Sequence, residues 1–201
     1  KELDEAANTE SGNYFSRDLV SKDIYTVTEK YGDLGYAFAE VEPLTDIRED
    51  KREVDINFRI RKGNKVFFRR INVVGNTTSR DKVVRRELKV AEGDLYSISS
   101  LRDSREKIYR LGFFEEVDFQ TRRVVGMDLL DVDVKVKEGS TGALQLTGGY
   151  STFEGFIFMA QIQQANLLGY GHQLSISGSF SKRSQIFSFD YLDPYFLDTN
   201  W

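Results

Sequence analysis

The residue types that could carry covalent or ionic chemistry are few in this chain and badly spaced for it. His172 is the one histidine, follows a glycine-rich stretch and has no Ser or Cys nucleophile at an arguable spacing. Cysteine is absent, which removes disulfides and thiolate metal sites. Gly169-Tyr170-Gly171 is no dinucleotide loop, because such a loop must open a helix and an alternating segment follows instead. Asp131 and Asp133 alternate along an extended run and lack the glycine and spacing of a calcium loop. The pairs Arg69-Arg70, Arg85-Arg86 and Arg122-Arg123 invite a nucleic-acid test. RNA modules of comparable strand–helix order place a GxxG loop between two helices. The corresponding segment here, Ala91-Glu92-Gly93-Asp94, is acidic and lacks the second glycine, and the net charge is −4. The pairs read as solvated surface charge. Catalytic residues, metal ligands and a cofactor site are not expected, nor is an enzyme or a nucleic-acid partner. The remaining reactive groups are main-chain N–H and C=O, which act wherever a strand is left unpaired.

The elements that would present such strands recur. Leu34-Gly35-Tyr36-Ala37-Phe38 returns as Leu111-Gly112-Phe113-Phe114-Glu115, a period of 77 residues between Gly35 and Gly112. In the fuller copy, Val66 to Val74 is a β-branched and aromatic strand ending at Gly75-Asn76. A helix should follow, capped by Thr78 or Ser79, with Asp81 in its first turn, Val84 and Leu88 on one face, and a stop at Gly93. A second helix, capped by Ser99 or Ser100, buries Leu101, Ile108 and Leu111 and ends at Gly112 in a left-handed C-cap. Two strands, 113–121 and 129–137, close the module around a hairpin at Val125-Gly126-Met127-Asp128. The first copy keeps a helix with the stripe Val20, Ile24, Val27, Tyr31 and Leu34, and strands near 38–45 and 54–61. Its opening strand is missing, and residues 1–11 read as the end of a truncated helix.

Beyond Gly139 the charges almost vanish: of 60 charged residues only Glu154, Lys182, Arg183, Asp190, Asp193 and Asp198 remain. Strand-length segments at 142–150, 155–165, 172–180 and 185–192 alternate apolar residues with Ser, Thr and Gln. An apolar lipid face over a polar lumen gives this period, and a soluble sheet would carry Lys and Glu on its wet face. The lipid-facing set is Phe156, Phe158, Ile162, Leu174, Ile176, Phe187 and Phe189. The fold class is therefore α+β: tandem β-α-α-β-β modules, then antiparallel strands of an incomplete transmembrane barrel. The expected domains are 1–65, 66–138 and 139–201.

Several strings carry a resemblance: Val73-Val74-Gly75-Asn76-Thr77-Thr78, Val84-Arg85-Arg86-Glu87, Glu92-Gly93, Leu111-Gly112-Phe113-Phe114, Gln163-Gln164-Ala165-Asn166-Leu167-Leu168-Gly169-Tyr170-Gly171 and Asp193-Pro194-Tyr195-Phe196. With them the chain resembles the surface-antigen/POTRA superfamily of outer-membrane β-barrel assembly factors, over the last two POTRA domains and the first barrel strands. The match is looser before residue 66. The resemblance implies more POTRA domains before Lys1, barrel strands beyond Trp201, and residues 1–138 in the periplasm beneath an outer-membrane barrel. It implies unfolded outer-membrane proteins, accessory assembly lipoproteins and outer-membrane lipid as partners, with Arg85 and Glu92 facing a lipoprotein. A two-partner-type secretion pore and a soluble tandem α+β binding adaptor are the competing functions. Strand 115–123, with Glu115, Val117 and Phe119, is the edge expected to receive a client strand, as is 38–45 in the first copy. The segment 142–150, softened by Gly142, Gly148 and Gly149, would be a second templating edge.

Overall fold

The computed structural model describes Thr9, residues 12–196 and Thr199. In chain order the elements are α1 (Arg17–Asp33), β1 (Glu40–Arg48), β2 (Glu53–Arg61), β3 (Phe67–Val74), α2 (Asp81–Arg85), α3 (Ile98–Arg110), β4 (Phe114–Arg123), β5 (Leu129–Glu138), β6 (Gly142–Ser151), β7 (Gly155–Leu167), β8 (His172–Phe180) and β9 (Gln185–Leu192). They form a β1-β2 pair, a three-stranded sheet ordered β3-β5-β4 and a four-stranded sheet ordered β6-β7-β8-β9. Two compact units divide the chain: residues 1–72, 89–104 and 121–132 in one, 73–88, 105–120 and 133–201 in the other.

In the first unit, α1 buries Val20, Asp23, Val27 and Tyr31. The expected stripe is corrected at two places. Ile24 is only half-buried, and Leu34 is exposed because it lies past the last helical turn. Asp23 enters the buried face because Thr9 donates to its carboxylate from both N and Oγ1. The helix end expected at residues 1–11 falls, Thr9 apart, outside the described residues. Gly35 (φ +96°) turns the chain so that its carbonyl accepts the Val66 N–H at 2.9 Å. A Cβ there would lie 2.6 Å from the Leu95 side chain. The strands β1 and β2 pair antiparallel from Glu40↔Arg61 to Arg48↔Glu53.

The start of α3 is held from a distance. Its cap is Ser97, whose Oγ accepts the Ser100 N–H at 3.1 Å, so the expected caps Ser99 and Ser100 lie inside the first turn. Asp33, at the end of α1, accepts the Ser99 N–H at 2.9 Å and the hydroxyls of Ser97 and Ser99. Burial raises the Asp33 carboxyl, but the bonds from Ser99 and Ser97 and the Arg102 charge bring it below its ordinary value.

In the second unit α2 is five residues long, although the Val84–Leu88 spacing predicts a helix running to Gly93. Main-chain donors past Arg85 find other acceptors. Leu88 N–H turns back to Arg85 O, and in the other unit Lys89 N–H goes to Ser104 Oγ and Ala91 N–H to Asp94. The expected caps Thr78 and Ser79 do not act as caps. Their N–H groups instead donate to the Glu138 carboxylate, at 2.8 Å and 2.6 Å, with Thr77 Oγ1 adding a third donor. On β5, Leu130, Val132, Val134 and Val136 are buried in alternation, the signature of a central strand with one covered face. Gly112 is left-handed (φ +72°), as its place after α3 requires.

The register of the last sheet converts four separate alternations into two continuous faces. Leu144, Ile162, Ile176 and Phe189 form one cross-strand row, while Gln145, Gln161, Ser177 and Ser188 form the neighbouring row on the other face. At the turn joining β7 to β8, Leu168 (φ +53°) and Gly169 (φ +76°) are both left-handed and the Tyr170 N–H bonds Leu167 O, the hairpin geometry that follows strand twist. No helix among the described residues is long and apolar enough to cross a membrane, which says nothing of crossing by strands.

Candidate functional site

Of the three-stranded sheet's members, β4 is an outer strand and β5 the central one. On β4, Glu115 is exposed and pairs with Lys137 at 2.9 Å, while Val117 and Phe119 are half-buried. Beside this strand runs a groove of about 530 Å³, walled by Arg105, Glu106, Tyr109 and Arg110 of α3 and by residues 115–118 of β4. Tyr109 is 59% exposed there, so the groove offers a large aromatic surface as well as charges of both signs. The first copy's counterpart, β1, carries Pro43 opposite Phe58. A proline has no N–H to offer, and it blunts a strand as a template.

In the last sheet β6 is outermost and exposed along nearly its whole length. A Cβ at Gly148 or Gly149 would meet nothing within 4 Å. Packing therefore does not demand glycine at either place, and its effect is a softer strand. The seven residues expected to face lipid share one face by register. Phe156, Phe187 and Phe189 are 81%, 71% and 68% exposed, and only Leu174 is half-buried.

The residues that sequence reasoning missed sit where α2 meets the sheet's turns, all within the second unit. A bulge in β7 between Gln164 and Leu167 brings Asn166 inward, buried to 4%. Its amide donates to Ser79 Oγ at 2.8 Å and its carbonyl accepts the Gly171 N–H at 2.8 Å. The Arg80 N–H donates to Gly169 O at 2.9 Å, and the Arg80 guanidinium lies 3.7 Å over the Tyr170 ring. Arg86 lies 3.7 Å over the Tyr195 ring, and the Tyr195 hydroxyl donates to Glu87. Burial, with the Glu87 bond and charge behind it, pushes the Tyr195 hydroxyl up to about 12. The sequence signal for this joint was the density of motif residues at 163–171 and 193–196; nothing in it said that they meet residues 79–87.

Arg85 is exposed and bonds Asp81 at 2.6 Å along its own helix. Glu92, in the other unit, accepts the Ile71 N–H at 2.9 Å, so its carboxylate already serves the strand β3. His172 shares Nδ1 with the Tyr191 hydroxyl at 2.7 Å and places Nε2 3.6 Å from Asp193, a structural bridge between β8 and the chain after β9.

The family described as POTRA, surface antigen variable number repeat, matches residues 1–63 and 66–139. Outer membrane protein assembly factor BamA of Nitratidesulfovibrio vulgaris is 37% identical over 181 residues, which is 90% of this chain and 23% of that protein. BamA of Neisseria meningitidis serogroup B is 32% identical over 198 residues, 97% of this chain and 25% of that protein. The crystal structure of BamA from Haemophilus ducreyi lacking POTRA domains 1–3 superposes with a TM-score of 0.86 at 30% identity, covering 97% of this chain and 37% of that one. The chain thus spans about a quarter of the length of the curated relatives it matches.

Proposed function

Because this chain belongs to the POTRA family of surface-antigen repeats, we propose that it is the junction between periplasm and membrane of an outer-membrane protein assembly factor. Residues 1–65 and 66–138 act as POTRA modules in the periplasm, and 139–201 supply the first barrel strands in the outer membrane. The work is non-catalytic: strand edges receive unfolded β-barrel precursors. The observation that carries this reading is the open side of β4 with its groove beside α3. Main-chain pairing along such an edge tolerates many client sequences, while the groove takes alternate side chains. Pro43 makes β1 the poorer acceptor of the two. The soft strand β6 is the second template, and the apolar face beside it meets lipid. Arg85, exposed on α2, is the contact for an accessory lipoprotein. Glu92 contributes to such a contact only at the expense of its bond to Ile71.

A photo-crosslinker at Glu116 or Asp118 should capture an unfolded outer-membrane protein and leave the same protein alone once it has folded. Capture at Lys22, exposed on α1, should be far weaker. Equal capture at all three positions would remove β4 as the client site. Arg85→Glu should lower the amount of lipoprotein that co-purifies, more so at low salt, because rim charges act through a screened field. Undiminished recovery would remove Arg85 from that role.

A further inference from the structure

A cavity of about 590 Å³ lies beside the start of β8 and the end of β9, entirely within the second unit. Three cations, Arg86, Lys107 and Arg110, and two acids, Glu87 and Asp193, stand in its wall. The acids are already engaged. Glu87 accepts the Tyr195 hydroxyl, and Asp193 accepts the Tyr195 N–H at 3.0 Å with His172 beside it. Of the cations, Arg86 stacks on the Tyr195 ring, and the other two are unspent. Lys107 and Arg110 have no acceptor among the described residues. Arg86 has Nε and Nη2 buried without an acceptor, and its nearest carboxylate oxygen is 3.8 Å away on Glu87. Spent acceptors and unspent donors call for an anion.

We propose that this cavity binds a carboxylate carried on a polypeptide segment, with Lys107 and Arg110 as its direct ligands and Arg86 adding positive field from behind. The inference rests on the client-handling reading above and adds an acidic residue to the chemistry of what is handled. Two observations favour a polypeptide over a lipid phosphate. Gln173 and Leu192, which line the cavity, belong to the face opposite the apolar row of Leu174 and Tyr191. The cavity therefore opens away from the side that lipid would cover. Arg110 also walls the groove beside β4, so a chain lying on that edge runs into the cavity.

The test uses the whole 201-residue chain in detergent, with fluorescence anisotropy of two labelled peptides, one alternating Glu and Leu, the other Gln and Leu. The Glu peptide should bind more tightly, and Lys107→Glu should weaken it about tenfold while sparing the Gln peptide. Lys107→Gln, which removes the charge without reversing it, should show a smaller loss in the same direction, and Arg59→Gln on β2 should show none. Equal binding of the two peptides, or Glu-peptide binding indifferent to both Lys107 changes, overturns the proposal. Lys107-dependent association with phosphatidylglycerol vesicles and none with the Glu peptide also overturns it, in favour of a lipid headgroup. Crosslinks at Glu116 read the strand edge separately. If they fail while Lys107-dependent peptide binding persists, the edge reading falls and the cavity stands.

Discussion

Gly112 and Gly169 are both left-handed, yet a side chain would cost different things at each. At Gly112 (φ +72°) a Cβ meets nothing within 4 Å, so Gly112→Ala should cost only the conformational penalty, about 1 kcal/mol, and Gly112→Val somewhat more. At Gly169 (φ +76°) a Cβ would stand 2.1 Å from Thr78 O, and backbone must move. Gly169→Ala should therefore cost roughly 2–3 kcal/mol. Urea unfolding checks the pair, and equal costs would mean that the turn does not bear on α2. Glu138 gives the same joint a pH dependence. Burial works to raise its carboxyl, but bonds from Thr77, Ser79 and Thr78 outweigh it and hold the group at about 2, below the ordinary 4.5. A depressed folded value stabilises above the unfolded one, so the contribution is whole above about pH 4.5 and is lost as pH falls through about 2. Glu138→Gln should be about 1 kcal/mol less stable at pH 7, with the gap closing toward pH 2. A constant gap across that window would assign the loss to packing.

The edge strand can be interrogated one N–H at a time, because an antiparallel ladder alternates inward and outward donors with a period of two. A proline scan across residues 115–119 of β4 should split accordingly. Prolines that remove inward N–H groups should unfold the module, and those that remove outward ones should leave it folded but unable to crosslink clients. Thermal unfolding beside capture at a fixed site reads both, and a scan without alternation would mean that side chains alone hold the client. The strands themselves were legible in the sequence. The segments 172–180 and 185–192 match β8 and β9 to the residue, because period-two alternation and Gly-rich turns are local signals. The central place of β5 was legible for the same reason, in its Leu130-Val132-Val134-Val136 series. The helices were less so. Leu88 sits at helical spacing from Val84, but the N–H groups that follow are taken by Ser104 and Asp94. The acceptors at the starts of α2 and α3, Glu138 and Asp33, lie about sixty residues from the groups they hold. Local capping rules cannot see them. The site divided in the same way: β4 could be ranked as an edge from the more regular alternation of the strand that follows it, whereas the meeting of Ser79 with Asn166 and of Arg86 with Tyr195 is purely tertiary.

At the scale of the chain, the decisive fact is that one face of the last sheet is covered by nothing among the described residues. Leu144, Phe156, Ile162, Phe187 and Phe189 are all more than half exposed, and the register joins them into one surface. Apolar area of that kind marks an interaction surface and, in water, an aggregation hazard. Among the described residues the sheet also ends on two open strands, β6 and β9. An open sheet cannot sit alone in lipid, since each unpaired edge group would cost several kcal/mol. Without further strands to close it, the chain should therefore associate through this sheet or hold detergent on it. Phe158→Glu with Phe187→Glu, two residues on that face, should shift the detergent-free protein from large particles toward monomer, because like charges placed on the contact surface repel. Changes at Gln161 and Ser177, on the other face, should not. Light scattering with and without detergent reads the result. A detergent-free monomer of the parent chain, with Phe156 and Phe187 open to a soluble quencher, would show that the face is stable in water and would sink the membrane assignment of residues 139–201.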